Sequence, residues 1–158
     1  MKRSDDSQGE VMASSVTREI AIAVPPEKLF DVIADYARYP EFVPSVKACR
    51  PKRTGAIVDV EFELDLGVKT IRYTLRHQED RPRTVSWSLV ASDWMKISNG
   101  SWELIPEGGH TRARYTVEIQ VAKPALIPQA LVDKVTDQLT RVQLPRTLEA
   151  FKARAESG

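Results

Sequence analysis

Val58, Val60, Phe62, Leu64 and Leu66 alternate without interruption with Asp59, Glu61, Glu63 and Asp65. A period of two sends successive side chains to opposite faces of a strand, so the apolar groups share one face and the carboxylates the other. The pattern predicts a sheet with one wet face and one face turned towards apolar material. Ile71, Tyr73 and Leu75 continue it against Thr70, Arg72, Thr74 and Arg76, and Val85, Trp87 and Leu89 against Ser86 and Ser88. Ile97, Trp102 and Leu104 mark the next strand, with a bulge or bend predicted at Gly100. Tyr115, Val117, Ile119 and Val121 close the series against Arg114, Thr116, Glu118 and Gln120. Near the start, Val16, Ile20, Ile22 and Val24 share one face of a first strand, interrupted by Arg18.

Two regions break this period. Pro25-Pro26 stops the first strand, and proline suits the first helical position because its missing N–H has no partner there anyway. Leu29, Phe30 and Ile33 then form the stripe of a short helix ending near Asp35. The aromatic stretch from Tyr36 to Pro44, broken by Pro40, predicts one or two further helical turns and a tight exit. Towards the C-terminus, Leu131, Val135, Leu139 and Val142 fall at helical spacing, and Leu148 and Phe151 extend the stripe. Pro128 suits the start of that helix, and Pro145 predicts a kink or a division. The order is one strand, two short helices, about six strands and one long helix. The gaps between strands are too short for crossover helices, so antiparallel hairpins connect them. The predicted class is α+β: a curved antiparallel sheet of about seven strands around a C-terminal helix. One helix covers so large an apolar face poorly, so the sheet is expected to curl around an internal space.

The 158 residues suit one domain over 15–158, with residues 1–14 expected as a mobile tail for want of apolar periodicity. Lys plus Arg total 23 and Asp plus Glu 22, so the near-neutral balance lacks the electrostatic footprint of a nucleic-acid binder. Cys49 is the lone cysteine, which removes intramolecular disulfides and cysteine metal clusters. The polar first residues lack the apolar core of a signal peptide, and a soluble cytoplasmic protein without metal or cofactor is the expectation. The carboxylates of 59–65 read as a solvated strand face. His77 and His110 lack the spacing of a metal site; His77 continues the inward register of Tyr73 and Leu75 and is the better candidate for a polar contact. Cys49 lies beside Arg50 and Lys52, which favour a thiolate, but has no adjacent histidine. Arg72, Arg76 and Arg114 balance the acidic strand across the wet face, or one of them enters the interior to orient a polar head group. Trp94-Met95-Lys96 sits between strands, as a rim or lid touching ligand or making transient contact with a membrane surface, or as a loop folded over the mouth of the interior.

The segment Pro26-Glu27-Lys28-Leu29-Phe30-Asp31-Val32-Ile33-Ala34-Asp35-Tyr36-Ala37-Arg38-Tyr39-Pro40-Glu41-Phe42-Val43-Pro44 resembles the opening of the polyketide cyclase/dehydrase and lipid-transport group. So do the paired late segments Asn99-Gly100-Ser101-Trp102-Glu103-Leu104 and Thr111-Arg112-Ala113-Arg114-Tyr115. That group has the helix-grip fold of the START-like (SRPBCC) superfamily and includes coenzyme Q-binding proteins and the ribosome association toxin. The resemblance spans about residues 15–155. It implies a cavity for an apolar or aromatic ligand between sheet and long helix. Carried over by position, the lining comes from Phe30, Ile33, Tyr39, Phe42 and Val43, from Phe62, Tyr73, Trp87 and Trp102 on the sheet, and from Leu131, Val135 and Leu139 on the helix. The competing reading is that these side chains fill a solid core. His77 and Trp94 join the candidate ligand contacts on the grounds given above. Three functions are compatible with the resemblance: a binder or carrier of a lipid, quinone or polyketide-like molecule; an aromatase/cyclase-type enzyme that shapes a polyketide chain; and a toxin-like or regulatory interaction protein. With no triad and no metal set, the residues favour the binder. They leave ligand identity, pathway and oligomeric state open.

Overall fold

The alternating segments are strands of one antiparallel sheet. The computed structural model describes residues 14–121 and 126–158. Strand β1 (Ser14–Ile22) leads into helix α1 (Pro26–Ile33), a 3₁₀ turn (Tyr36–Arg38) and the short helix α2 (Tyr39–Phe42). Strands β2 (Val46–Thr54), β3 (Ile57–Asp65), β4 (Thr70–Asp80), β5 (Thr84–Ser92), β6 (Met95–Glu107) and β7 (His110–Val121) follow. The chain ends in α3 (Gln129–Asp137), a π-helical turn (Gln138–Val142) and α4 (Gln143–Glu156). The spatial order is β1-β7-β6-β5-β4-β3-β2. The helices after β1 carry the chain to the far edge, and successive hairpins bring it back until β7 pairs with β1. This is the expected helix-grip arrangement. The tail expected over 1–14 lies outside the described residues up to residue 13, and Ser14 already pairs with Ile119 in β1.

The two faces of β3 separate as its sequence requires. Val58, Val60, Phe62 and Leu64 are buried. On the other face Arg76 makes a bidentate contact to Asp59 at 2.8 and 3.0 Å. Arg72 approaches Glu63 at 3.5 Å and Arg50 bonds Glu61 at 3.0 Å. Arg114 pairs with Glu19 and Glu103 on β1 and β6. All three candidate arginines thus point to solvent, and none enters the interior. Pairs this exposed contribute little each; they keep the outer face wet more than they hold the fold.

The inner face carries two apolar clusters. One joins α1, α2 and α4 to the strands through Phe30, Ile33, Tyr39, Phe62, Trp102 and Phe151. The other joins α3 to the strands through Leu64, Ile71, Trp94, Met95, Val132 and Val135.

Two expectations need correction. Gly100 is not at a bulge: it stands in register opposite Trp87 and Val117, and the register shift on β6 falls between Met95 and Ile97. Its reason is space. A Cβ there would stand 2.6 Å from Trp87 Cε2 and 2.5 Å from the Thr116 carbonyl oxygen. On the last helix, Val132 rather than Leu131 is fully buried beside Val135 and Leu139, and the buried face resumes at Leu144, Leu148 and Phe151. The five-residue step from Leu139 to Leu144 marks the π turn, where the Gln143 N–H donates to the Gln138 carbonyl. Pro145 lacks an N–H, and its ring crowds the carbonyl four residues back. The wide turn directly before it divides the helix without a break.

Candidate functional site

The π turn lies over the place where the two clusters meet, and a cavity of about 130 Å³ opens there. Its sheet wall is aromatic: Phe62, Tyr73, Trp87, Trp102 and Tyr115. Phe62 and Tyr73 stack at 5.2 Å and 16°, and Trp102 meets Tyr115 at 4.5 Å. Ile33, Tyr39 and Val43 close one end, and Leu139, Leu144 and Phe151 form the helical roof. The Tyr39 hydroxyl donates to the Ile33 carbonyl, which ties the start of α2 to the end of α1. Gln143, also on the lining, donates through Nε2 to the Pro44 carbonyl at 2.6 Å, tying the roof to the exit of α2.

Few polar groups enter this space. Burial raises the pKa of the Tyr73 and Tyr115 hydroxyls, so both rings present a protonated O–H. His77 is the buried imidazole of the wall, only 4% exposed. Its ring lies 4.6 Å from Tyr36, 5.8 Å from Trp87 and 6.1 Å from Phe62. Its Nδ1 has no hydrogen-bond partner. Burial pulls its pKa down to about 4, against smaller opposing effects from backbone groups of Val58 and Leu75 and the charge of Glu79. The imidazole is therefore neutral near pH 7. Behind it, the Tyr36 hydroxyl donates to Glu79 at 2.8 Å, and Arg53 grips the same carboxylate at 2.8 and 3.1 Å. Burial raises the Glu79 pKa, but the bonds from Arg53 and Tyr36 outweigh it and hold the carboxylate below its ordinary range. This chain fixes the Tyr36 ring, and that ring fixes the face of His77.

Nine of the fourteen candidate contacts line the cavity: Ile33, Tyr39, Val43, Phe62, Tyr73, His77, Trp87, Trp102 and Leu139. Five do not. Phe30 faces the first cluster, with the Arg81 guanidinium 5.9 Å from its ring. Phe42 lies behind the lining, edge-on to Phe151 and under the Arg154 guanidinium at 4.9 Å. Val135 belongs to the second cluster, and Leu131 is only partly buried at its margin. Trp94 is 6% exposed and sits in that same cluster, with Lys69 Nζ 5.6 Å from its ring. It is neither rim nor lid, and it offers no exposed ring to a membrane. The serine and backbone of Ser92-Asp93-Trp94 explain its position: the Ser92 hydroxyl accepts from the N–H groups of Trp94 and Met95, which folds the turn inward.

Among the lining residues that sequence reasoning missed are Tyr115, Met95, Ser98, Gln143, Thr147 and Phe151. Tyr115 and Phe151 carried a signal in their apolar registers. Gln143 and Thr147 carried none, because polar residues do not mark a helix face. At Cys49 burial pushes the thiol up to about 12, and the lowering effect of Arg50 is the smaller one. Among the described residues no group of three or more His, Cys, Asp or Glu side chains is placed to hold a metal ion, and no helix is long and apolar enough to cross a membrane.

A family model described as polyketide cyclase / dehydrase and lipid transport matches residues 13–156. No curated protein sequence matches the chain. Among solved structures, the Zhui aromatase/cyclase from Streptomyces sp. R1128 superposes with a TM-score of 0.81 at 16% identity, over 92% of this chain and 94% of that one. A START superfamily protein from Mycobacterium smegmatis superposes with a TM-score of 0.71 at 14% identity, over 90% and 97%. The di-domain ARO/CYC BexL from the BE-7585A biosynthetic pathway gives 0.74 at 15% identity over 94% of this chain, which spans 50% of that protein. At these identities the likeness is one of fold.

Proposed function

Since this chain belongs to the polyketide cyclase / dehydrase and lipid transport family, we propose that it binds a hydrophobic small molecule between the concave sheet and the divided C-terminal helix. The observation that carries this reading is the cavity itself, walled by aromatic and aliphatic side chains with few polar groups among them. An apolar cavity of about 150 Å³ takes up benzene, so the 130 Å³ here suits one ring at rest. A larger guest needs the roof to lift, and the roof is held to the α2 exit by the Gln143–Pro44 bond.

A second reading, a cyclase that shapes a polyketide chain, draws support from the aromatase/cyclase neighbours. Such a reaction needs a chain held in a productive fold more than it needs a strong base. A folded multi-ring product exceeds the resting cavity, so the binder is the reading this geometry supports better.

Native mass spectrometry tests the proposal after gentle purification and incubation with a mixture of quinones, hydroxylated aromatics and fatty acids. A one-to-one adduct is expected with the wild-type protein, and its loss is expected in Val117→Phe, which fills the lining. Absence of any adduct, or an adduct that persists in a folded Val117→Phe variant, contradicts binding in the cavity.

A further inference from the structure

The apolar cavity has a charged neighbour. Beyond Val43 and Val46 lies a surface cleft of about 480 Å³, and these two side chains line both spaces. We propose that this cleft binds a carboxylate between Lys47 and Arg146, so that the ligand is an amphipathic acid with its apolar end in the cavity; this rests on the binding reading above.

Consecutive residues build the two spaces. Leu64 lines the cavity and Asp65 the cleft, Leu139 the cavity and Gln138 the cleft, Thr147 the cavity and Arg146 the cleft. The spaces therefore lie back to back beside β2, the last strand of the sheet, with Val43 and Val46 between them. A short methylene chain that parts these two valines joins the ring-sized cavity to the cleft. The backbone also directs a cation to this place. Ser45 is left-handed at φ 73°, and its carbonyl accepts from the Asp65 N–H at 2.8 Å. Val46 pairs with Leu64 and Ala48 with Glu63, so Lys47 is the extra residue of a bulge. A bulge re-aims a side chain that strict alternation would place elsewhere. Here Val46 meets the cavity and Lys47 the cleft.

The choice of a carboxylate follows from the charges. Arginines on the outer face are matched by carboxylates, as at Arg50, Arg72, Arg76 and Arg114. The side chains of Lys47 and Arg146 have no ion-pair or hydrogen-bond partner among the described residues. Asp65 also lines the cleft, but its Oδ1 accepts from the Gly67 N–H at 2.9 Å and closes the β3–β4 turn. Two cations against one carboxylate leave a surplus of one positive charge, which a monoanion balances. A carboxylate makes charge-assisted hydrogen bonds with both cations. The same group inside the cavity would meet no cation, since no Lys or Arg lines it, and the apolar walls would leave its charge unpaired. An acid is thus held in one orientation, head out and tail in.

The experiment is a methyl NMR titration with phenylbutyrate and its neutral isostere phenylbutanamide, run on the wild-type protein and on the double variant Lys47→Gln/Arg146→Gln. Both substituted side chains are exposed, so the variant is expected to fold. Both probes are expected to shift the lining methyls of Leu139 and Leu144 and those of Val43 between the spaces. The acid should bind wild type tighter than the amide by on the order of 10-fold, the scale of two partly exposed charge pairs. That advantage should shrink as salt is raised to about 0.5 M. In the double variant, acid and amide should bind alike. Equal affinities in wild type, an advantage that survives in the double variant, or an acid that leaves Leu139 and Leu144 unmoved overturns the carboxylate assignment; shifts of the lining methyls by the amide then leave cavity binding standing. If neither probe shifts the lining methyls, both readings fall.

Discussion

Gly100→Ala is expected to destabilise the protein by about 3 kcal/mol, at the upper end for forcing atoms into a filled site. The added methyl meets two neighbours at once. One is the Thr116 carbonyl on β7, which is backbone in a paired strand and cannot rotate away. The other is the indole of Trp87, a wall of the cavity. The entropy gained by replacing glycine in a strand is under about 1 kcal/mol and does not offset this. Urea denaturation of Gly100→Ala, Trp87→Ala and the double variant checks the prediction. Removal of the indole should relieve part of the cost of the alanine, because it frees the side-chain clash and leaves the carbonyl clash in place. A Gly100→Ala variant as stable as wild type contradicts the close approach.

The second large effect concerns acid. A buried histidine with its pKa depressed to about 4 stays neutral in the folded protein, whereas the unfolded chain titrates near 6.5. Above pH 6.5 both states hold a neutral ring and the group contributes no pH dependence. As the pH falls from 6.5 towards 4, the unfolded state takes up a proton that the folded state excludes, so stability is lost through that window. The loss amounts to about 3 kcal/mol by pH 4. The carboxylates held low by arginine, such as Asp59, Glu19 and Glu79, lose their contribution at lower pH, below the unfolded carboxylate value near 4.3. Urea midpoints at pH 7.5, 6 and 5 separate the two. For wild type the loss should be concentrated below pH 6.5 and be steepest between pH 6 and 5, while His77→Phe stays flat. Parallel profiles for the two proteins contradict a neutral buried His77.

The strand faces were legible because the pleat enforces a period of two on any half-buried strand. Asp59, Glu61, Glu63 and Asp65 had to go out once Val58, Val60, Phe62 and Leu64 went in. The same logic placed His77 beside Tyr73 and Leu75 and so found the polar group of the wall. The helix was legible as a helix but not in its phase. Two steps of four residues drift around an α-helix, so Leu131 fell off the face that Val132, Val135 and Leu139 share; the π turn then adds one residue, and the buried face resumes at Leu144 rather than at Val142. Trp94 failed for another reason: its burial depends on the Ser92 side chain folding the β5–β6 turn inward, which no periodicity encodes. Phe42 looked like lining because it is aromatic. The ring of Phe151 stands between it and the cavity, a fact of three-dimensional packing with no trace in spacing. A shortage of helix over a large apolar sheet did announce an internal space. Its volume depends on how far the side chains of Tyr73, Trp87 and Tyr115 lean into it, and only the structure gives that.

The most direct test of binding in the cavity is a methyl-labelled NMR titration with a one-ring aromatic probe. The account predicts shifts at Leu75, Val117, Leu139 and Leu144, which line the cavity, and unmoved signals at Val132 of the second cluster and at the exposed Val68 and Val90. Shifts confined to Val68 and Val90, or no saturable shift at the lining methyls, would show that the space between sheet and helix takes no guest.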